Sequence, residues 1–305
     1  MNHTKFRDNT AVYAGFASVL IFSIGPAFNR TLAESLSTFT TGAIVNTVAG
    51  LLMLLYRQKT CPLCPIRETN PRYWVLCATS FVAFMVLSNA AVGLSETREI
   101  AVISGLVHSL WPLSALLLAI PIGKAKARPA LIIGVLLCIV GIVLANYSGG
   151  SLQNLISGVA DAALPMSLAA IACLMWGIYS NILPRTISSK SADYLPVVSI
   201  AAGLVQLLCA LLAGERIVNF GFSELLQLLF MAVVSSFLGN YFWNLSMQSR
   251  GRMQVIFFSN LTPALTTFFS ILLLGLKMTL PILLGSVLIV LGAIWCKACF
   301  KKVQP

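Results

Sequence analysis

The chain has 305 residues, of which 58% are hydrophobic and only 10% are charged, and its mean hydropathy is +0.90. This composition excludes a soluble globular fold and indicates an integral membrane protein. The net charge of +11 does not indicate a nucleic-acid partner, because the basic residues are distributed as in a membrane topology.

Apolar stretches of about the 20 residues that a spanning helix needs follow one another along the chain, separated by short polar breaks. We predict ten spans, over residues 11–31, 36–56, 73–94, 100–122, 129–147, 165–185, 194–213, 223–246, 253–274 and 280–299. The first stretch has full span length and no cleavage site of small residues, so we do not expect a signal peptide.

The basic residues predict the orientation in the membrane. With a cytoplasmic N-terminus, the inner segments hold Lys5, Arg7, Arg57, Lys59, Arg67, Arg72, Lys124, Lys126, Arg128, Arg185, Lys190, Arg250, Arg252, Lys297, Lys301 and Lys302. The outer segments hold only Arg30, Arg98, Arg216 and Lys277. Because cytoplasmic loops carry the excess of Lys and Arg, we expect both termini in the cytoplasm and a multi-pass location in the inner membrane of the cell.

An internal duplication divides the chain into two halves. Residues 89–147 and 240–298 are weak copies of each other at a constant offset of 151. The matched pairs are Asn89 and Asn240, Leu94 and Leu245, Ser95 and Ser246, Leu110 and Leu261, Pro112 and Pro263, Gly134 and Gly285, and Gly141 and Gly292. Five is an odd number of helices, so the second copy is inverted across the membrane. The predicted fold is an all-α membrane protein of ten transmembrane helices in two inverted five-helix repeats, residues 1–150 and 151–305, which is typical of transporters.

Several short motifs carry a further resemblance. They are Gly93-Leu94-Ser95, Ala101, Leu110-Trp111-Pro112, Ala115-Leu116-Leu117, Gly134 and Gly141 in the first half, and Asn260-Leu261-Thr262-Pro263, Gly285 and Gly292 in the second. This pattern resembles the ten-helix drug/metabolite transporter superfamily, EamA type. The segments Gly105 to Pro112, Trp176-Gly177-Ile178-Tyr179 and Trp243-Asn244 resemble the bacterial aromatic amino acid exporters of that superfamily. Lys124, Phe84 and Ser88 depart from the pattern of those relatives.

Two prolines and one histidine are candidates for contact with a solute. Pro112 and Pro263 are predicted in mid-helix, where each proline frees the carbonyl four residues earlier, on His108 and Ser259. A kink satisfied by neighbouring hydroxyl groups is the alternative. His108 is the only ionisable side chain clearly inside a predicted span, so it is either a functional residue or a packed, neutral one.

Aromatic rings supply the other candidates, because they stack on an amphipathic aromatic solute and attract its ammonium group. The resemblance places Phe22, Phe84 and Tyr179 around a central cavity. The full set of predicted substrate-binding residues is Phe22, Phe84, Ser88, His108, Trp111, Pro112, Trp176, Tyr179, Ser180, Asn260 and Pro263. Trp74, Trp243 and Trp295 lie near span ends, where tryptophan ordinarily anchors at the membrane interface.

The acidic residues bear on the driving force. None of the nine lies in the interior of a predicted span, and Glu224 is at the very start of one: Asp8, Glu34, Glu68, Glu96, Glu99, Asp161, Asp193, Glu215 and Glu224. A proton-coupled pump ordinarily needs a buried carboxylate relay, so the sequence favours a passive facilitator that works by alternating access.

The leading interpretation is an exporter of aromatic and other neutral amino acids that moves its solute down the solute gradient. The alternatives are a proton-linked or passive exporter of drugs or other metabolites and, from another class, a membrane scaffold or an intramembrane enzyme. An enzyme would need clustered catalytic groups, which we do not find. The pairs Cys61 with Cys64 and Cys296 with Cys299 have zinc-ligand spacing, but we expect no metal site and no cofactor. The expected partners are a small-molecule substrate and the lipid bilayer, and the expected state is a monomer or weak dimer.

Overall fold

The computed structural model describes residues 2–60, 66–95, 104–105, 107–145, 163–187, 193–217, 220–274 and 280–300. In these ranges the regular structure is helical, apart from one antiparallel bridge between Ala127 and Phe300. The helices are α1 (Asn2–Leu36), α2 (Thr38–Thr60), α3 (Thr79–Gly93), α4 (Trp111–Leu118), α5 (Leu131–Ala145), α6 (Ala163–Thr186), α7 (Leu195–Ala213), α8 (Phe222–Leu229), α9 (Asn240–Met247), α10 (Arg252–Ser259), α11 (Thr262–Leu274) and α12 (Leu280–Cys299). A 3-10 turn covers Ile66–Glu68, and π-helical segments cover Tyr73–Ala78 and Phe230–Gly239.

Within the described residues, six helical stretches are long and apolar enough to cross a bilayer. They are Asn9–Leu36, Thr38–Lys59, Tyr73–Gly93, Ala163–Thr186, Leu195–Ala213 and Phe222–Met247. Leu131–Leu144 and Leu283–Cys296 are shorter apolar helices. The prediction of a multi-pass, all-helical membrane protein is therefore confirmed, whereas the count of ten spans stays a prediction.

The predicted fourth and ninth spans are each interrupted at one turn. The first interruption falls at Ser109 and Leu110, and the second falls at Asn260 and Leu261, which lie 151 residues further on. Even the local hydrogen bonds match, because Leu110 N donates to Val107 O at 3.0 Å and Leu261 N donates to Phe258 O at 2.9 Å. The two halves thus share this local geometry as well as sequence.

The two prolines lie just after these interruptions. Pro112 occupies the first turn of α4, and Pro263 is the second residue of α11. The prediction that both lie in the middle of continuous helices is therefore wrong. A proline in the first helical turn needs no helical partner for its nitrogen, and its fixed φ suits the start of a helix.

Glycines bring α5 and α12 into close antiparallel contact. A Cβ atom added to Gly134 would lie 2.7 Å from the carbonyl oxygen of Gly292, and one added to Gly141 would lie 2.7 Å from that of Gly285. Gly134 and Gly141 correspond to Gly285 and Gly292 at the offset of 151, so each glycine contacts the counterpart of the other. Only residues without a side chain allow the backbones to approach this closely.

Helices α2 and α7 pack in a similar way. A Cβ atom on Gly50 would lie 2.7 Å from the Pro196 carbonyl oxygen, and one on Gly203 would lie 2.8 Å from the Thr47 amide nitrogen. Each glycine therefore lies against the backbone of the other helix.

The connection between α1 and α2 is a single residue, Ser37, which has φ 66°. Its hydroxyl donates to the Arg216 carbonyl at 3.1 Å. The Glu215 carboxylate accepts bonds from the first amides of α2, at 3.0 Å from Phe39 N and 2.7 Å from Thr40 N. The segment after α7 thus satisfies donors that the start of α2 would otherwise leave unpaired.

Large apolar side chains cover the outward faces of the bundle. On α5 these are Ile132, Ile133, Leu136, Ile139, Val140 and Val143, and on α7 they are Leu204, Val205, Leu207, Leu208, Leu211 and Leu212. Exposed apolar surface of this extent suits contact with lipid chains.

Candidate functional site

Three tryptophans meet in the interior of the bundle. The ring centroids of Trp111 and Trp243 are 5.2 Å apart, and each lies 5.6 Å from that of Trp176. Phe22 approaches Trp176 edge-on, at 6.0 Å and 89°. We call these four residues the aromatic cluster. It joins α1 and α4 of the first half with α6 and α9 of the second.

Further predicted residues extend this cluster on one side. Phe84 lies 4.6 Å from Trp176 and stacks on His108 at 5.5 Å and 24°. The His108 ring nitrogen Nε2 is 3.0 Å from the Ser88 hydroxyl. Tyr179 lies 5.6 Å from Trp176. The structure therefore brings together most of the ring-bearing candidates, in edge-to-face and offset contacts that aromatic groups prefer.

A glycine makes room for this arrangement. Gly239 lies one helical turn before Trp243, on the same face, and a Cβ atom there would lie 2.7 Å from the Phe22 ring. The small residue lets Phe22 approach α9, where Trp243 is fully buried. The prediction that Trp243 anchors at the membrane interface is therefore wrong.

Two polar atoms of the aromatic cluster, and one of Ser180, which follows Tyr179 in the sequence, are buried without a hydrogen-bond partner. They are the indole nitrogens of Trp176 and Trp243 and the hydroxyl of Ser180. Buried donors are nearly always paired, because leaving one unpaired costs roughly 1–3 kcal/mol. The aromatic cluster thus offers two N–H groups that can donate to an acceptor other than the protein.

The remaining predicted residues have other surroundings. The carbonyl of His108, which we expected to be available to a ligand, accepts a bond from the Cys173 thiol at 3.2 Å. Pro112 is buried beside Trp111. The Asn260 amide donates to the Ile256 carbonyl of its own helix at 2.9 Å. Pro263 is buried in the symmetry-related turn, and the contacts described here do not link it to the aromatic cluster.

Asp193 is the main polar residue that the sequence did not reveal as part of the interior. Its side chain is only 8% exposed, so the expectation of no buried carboxylate is wrong. The carboxylate accepts bonds from Leu195 N at 3.1 Å, from the Tyr73 hydroxyl at 3.3 Å and from the Asn244 amide at 3.2 Å. The Arg57 guanidinium donates to the Asp193 main-chain carbonyl.

Burial raises the pKa of the Asp193 carboxyl above its ordinary value, although the Leu195 amide, the Arg57 charge and the side chains of Asn244 and Tyr73 act in the opposite direction. In water, the charged carboxylate is well solvated, and removal from water disfavours it. Asn244 also accepts a bond from the Tyr179 hydroxyl at 2.6 Å. A polar chain therefore connects Asp193 to the edge of the aromatic cluster.

A cavity of ≈ 260 Å³ opens beside this chain. Its walls are formed by Met53, Tyr56, Arg57, Asp193, Leu195, Pro196, Phe237, Tyr241, Asn244, Leu245 and Gln248. It lies at the end of the bundle that holds Arg57 and Gln248, which the basic residues predict to be cytoplasmic. Asn244 belongs both to the cavity wall and to the polar chain, so the cavity reaches to within one side chain of Tyr179.

The raised pKa of Asp193 predicts a pH-dependent stability. A carboxyl whose pKa is higher in the folded than in the unfolded chain takes up a proton on folding. Its contribution to stability is therefore lost as the pH rises through the folded pKa, and is fully present below the unfolded value of about 4. We expect the thermal stability of the purified protein to increase on acidification from pH 7, and we expect Asp193→Asn to remove this increase.

The control for this measurement is Glu68→Gln, because Glu68 is exposed in the turn Ile66–Glu68. It should keep the wild-type dependence on pH. An unchanged dependence in the Asp193→Asn variant would contradict the assignment to Asp193.

The cysteine pairs give no evidence of a metal site. Cys61 and Cys64 lie outside the described residues, and Cys296 and Cys299 are buried and free. In the part of the chain that the structure describes, no three residues of the types His, Cys, Asp and Glu form a metal-binding group.

Comparisons with known proteins agree with this architecture. A solved structure named "Crystal structure of protein" superimposes with a TM-score of 0.73 at 19% identity, over 97% of this chain and 99% of that one. The aromatic amino acid exporter YddG of Salmonella typhimurium (strain 14028s / SGSC 2262) is 23% identical over 94% of this chain and 96% of its own length. The protein of the same name from Ancylobacter novellus is 26% identical over 85% of this chain and 87% of its own length.

The family profile matches the two halves separately. It covers residues 9–147 and residues 163–296, which together make up most of the chain. With an interior formed by both halves and a multi-pass helical fold, the chain belongs to the EamA-like transporter family.

Proposed function

We propose that this chain exports aromatic and related neutral amino acids across the inner membrane, by alternating access and down the gradient of the solute. The observation that carries the proposal is the aromatic cluster, in which Trp176 and Trp243 are buried with unpaired indole N–H groups. An aromatic amino acid offers a ring to stack on these indoles and a carboxylate to accept from them. The names of the curated relatives support the same class of solute.

Two inverted five-helix repeats, residues 1–150 and 151–305, form the framework of the proposed mechanism. The paired glycine contacts of α5 with α12 support it, because each half presents the same surface to the other. The interrupted helices at equivalent positions support it as well. Two similar units of this kind can tilt about a solute site that lies between them.

The two ends of the bundle differ in a way that supports an inward-open state. The end that carries Arg57 and Asp193 holds the cavity. At the opposite end, Glu215 is bonded to the start of α2. With both termini in the cytoplasm, as proposed from the basic residues, the cavity opens to the cytoplasm and the aromatic cluster closes it from the outside. We expect the transporter to be a monomer or a weak dimer.

The test is counterflow in proteoliposomes, with a panel of labelled amino acids, purines and quaternary amines. Saturable exchange of phenylalanine or tryptophan is the expected result. Exchange confined to a quaternary amine would instead establish a drug exporter of the same family. Absence of exchange for every solute would point to a scaffold.

We also expect transport to continue without a pH gradient, although Asp193 is buried. The Asp193 carboxylate is bonded to Leu195, Tyr73 and Asn244, and His108 is bonded to Ser88, so each has a structural partner. The measurement is phenylalanine uptake into proteoliposomes with equal and with unequal pH on the two sides. The contrary result is uptake that occurs only with a pH gradient and that loses this dependence in the His108→Ala or Asp193→Asn variant. It would establish proton coupling, the alternative mechanism.

A further inference from the structure

A pair of opposite charges lines the cavity. Of the cavity-lining residues in the described part of the chain, Arg57 and Asp193 are the charged ones, and the remainder are apolar or neutral polar. The cavity therefore has no net charge but is strongly dipolar. A zwitterion matches such a site better than an anion or a cation does, because each of its charges meets an opposite one.

The two charges are held close together. The Arg57 guanidinium donates to the main-chain carbonyl of Asp193, the residue that bears the carboxylate. The carboxylate itself accepts bonds from Leu195, Tyr73 and Asn244. A guanidinium has five N–H donors and can bind more than one acceptor, so a carboxylate can be one of its partners. The α-ammonium and α-carboxylate groups of an amino acid are also close neighbours, because both are attached to the same carbon atom.

One wall of the cavity is aromatic. The ring of Tyr56 lies 5.7 Å from that of Tyr241, at 79°, and 6.1 Å from that of Phe237, at 58°. This wall provides apolar surface beside the charged pair. The volume of ≈ 260 Å³ is just below the roughly 300–1,000 Å³ typical of drug-sized sites, so it suits a small metabolite.

We propose that this cavity is a recognition site for free zwitterionic amino acids, in which Arg57 binds the α-carboxylate, Asp193 binds the α-ammonium group, and Tyr56, Phe237 and Tyr241 contact the side chain. The proposal rests on the function proposed above and deepens it. A solute selected here lies one side chain, Asn244, away from Tyr179 and the aromatic cluster. Selection by the charged groups therefore precedes contact of the ring with the indoles.

The test uses analogues that lack one charge. Unlabelled phenylalanine, phenethylamine and 3-phenylpropionate compete with labelled phenylalanine in counterflow by the full-length protein in liposomes. Phenethylamine lacks the carboxylate and 3-phenylpropionate lacks the ammonium group. We expect the wild type to prefer phenylalanine over each analogue by at least about tenfold, because each analogue leaves one charge of the site unpaired.

Two substitutions should change this preference in opposite ways. In the Arg57→Gln variant, phenylalanine and phenethylamine should compete about equally well, while phenylalanine should still be preferred over 3-phenylpropionate. In the Asp193→Asn variant, phenylalanine and 3-phenylpropionate should compete about equally well, while phenylalanine should still be preferred over phenethylamine. Arg57→Lys, which retains the charge, should restore most of the lost preference. Arg67→Gln, at an exposed position outside the cavity, is the matched control and should behave as the wild type.

A purely structural role predicts a different result. In that case each substitution would lower the apparent affinity for phenylalanine and for both analogues by the same factor. This outcome would overturn the proposal. If the wild type exchanges no amino acid, the proposed function fails, and equilibrium binding of the three compounds to the purified protein then decides the inference by itself. Preferential binding of phenylalanine that depends on Arg57 and Asp193 would sustain it, and equal binding of the three compounds would refute it.

Discussion

Replacement of Gly134 by valine is expected to remove most of the folded protein from the membrane. A Cβ atom at this position would lie 2.6 Å from Cys296 Sγ, 2.7 Å from the Gly292 carbonyl oxygen and 3.0 Å from the Cys296 amide nitrogen. Two of these three atoms belong to the backbone of α12, which cannot rotate away as a side chain can. The helices must separate instead, and overpacking of this kind costs about 1–3 kcal/mol or more.

The measurement is the yield of monodisperse protein after detergent extraction, together with its melting temperature. Gly105→Ala is the matched control, because a Cβ atom at Gly105 would meet no atom within 4 Å. It should leave the yield unchanged. A normal yield for Gly134→Val would show that α5 and α12 are not held in this close contact in the membrane.

Truncation of Trp176 to alanine is expected to have the largest effect on transport. Trp176 contacts Phe22, Phe84, Trp111, Tyr179 and Trp243. Each aromatic contact contributes about 0.5–1.5 kcal/mol beyond the buried area. Loss of stacking between this indole and a substrate ring should therefore reduce kcat/KM for phenylalanine by up to about tenfold.

The same substitution also leaves a cavity in the protein, which costs about 3–5 kcal/mol for a buried tryptophan. Counterflow must therefore be normalised to the amount of folded protein. Trp176→Phe keeps a ring and should retain most of the activity. Trp295→Ala, at a position that is 45% exposed, should transport as the wild type does. Wild-type kcat/KM in the Trp176→Ala variant would exclude the aromatic cluster as the substrate site.

Much of the helical framework follows from the sequence. The predicted spans 165–185 and 194–213 agree within two residues with α6 (Ala163–Thr186) and α7 (Leu195–Ala213). The agreement has a physical cause, because a segment of about 20 apolar residues without charges is stable in hydrocarbon only as a helix. The offset of 151 identified these four glycines as two equivalent pairs, whereas their crossed contacts, Gly134 with Gly292 and Gly141 with Gly285, are seen only in the structure.

The candidate site was only partly predictable. Phe22, Phe84, Trp111, Trp176 and Tyr179 were expected and do converge, but their grouping came from the resemblance and not from the spacing of the residues. Hydropathy assigned Trp243 to the membrane interface and Asp193 to a segment outside the spans, because each lies close to the end of a span. Their burial depends on helices that are distant in sequence, such as the contact of Gly239 with Phe22 and the bond from Tyr73 to Asp193.

A signal for α9 was nevertheless present in the sequence. The residues Ser236, Gly239, Asn240, Trp243, Asn244 and Met247 are all buried and recur every three or four positions. This is the spacing of one helix face. Small and amide side chains along such a face indicate contact with protein, because lipid offers them no hydrogen-bond partner. The face therefore points towards the interior, and Trp243 with it.

The single residue between α1 and α2 limits how the bundle can deform. Ser37 alone joins Leu36 to Thr38, and it adopts φ 66°. A linker of one residue has few backbone torsions that could change the angle between α1 and α2. A tilt of the end of α1, from Pro26 to Leu36, is therefore passed on to the start of α2. Because α2 has 23 residues and is about 35 Å long at 1.5 Å per residue, a small rotation at Ser37 becomes a large displacement of Arg57 near the other end of the helix.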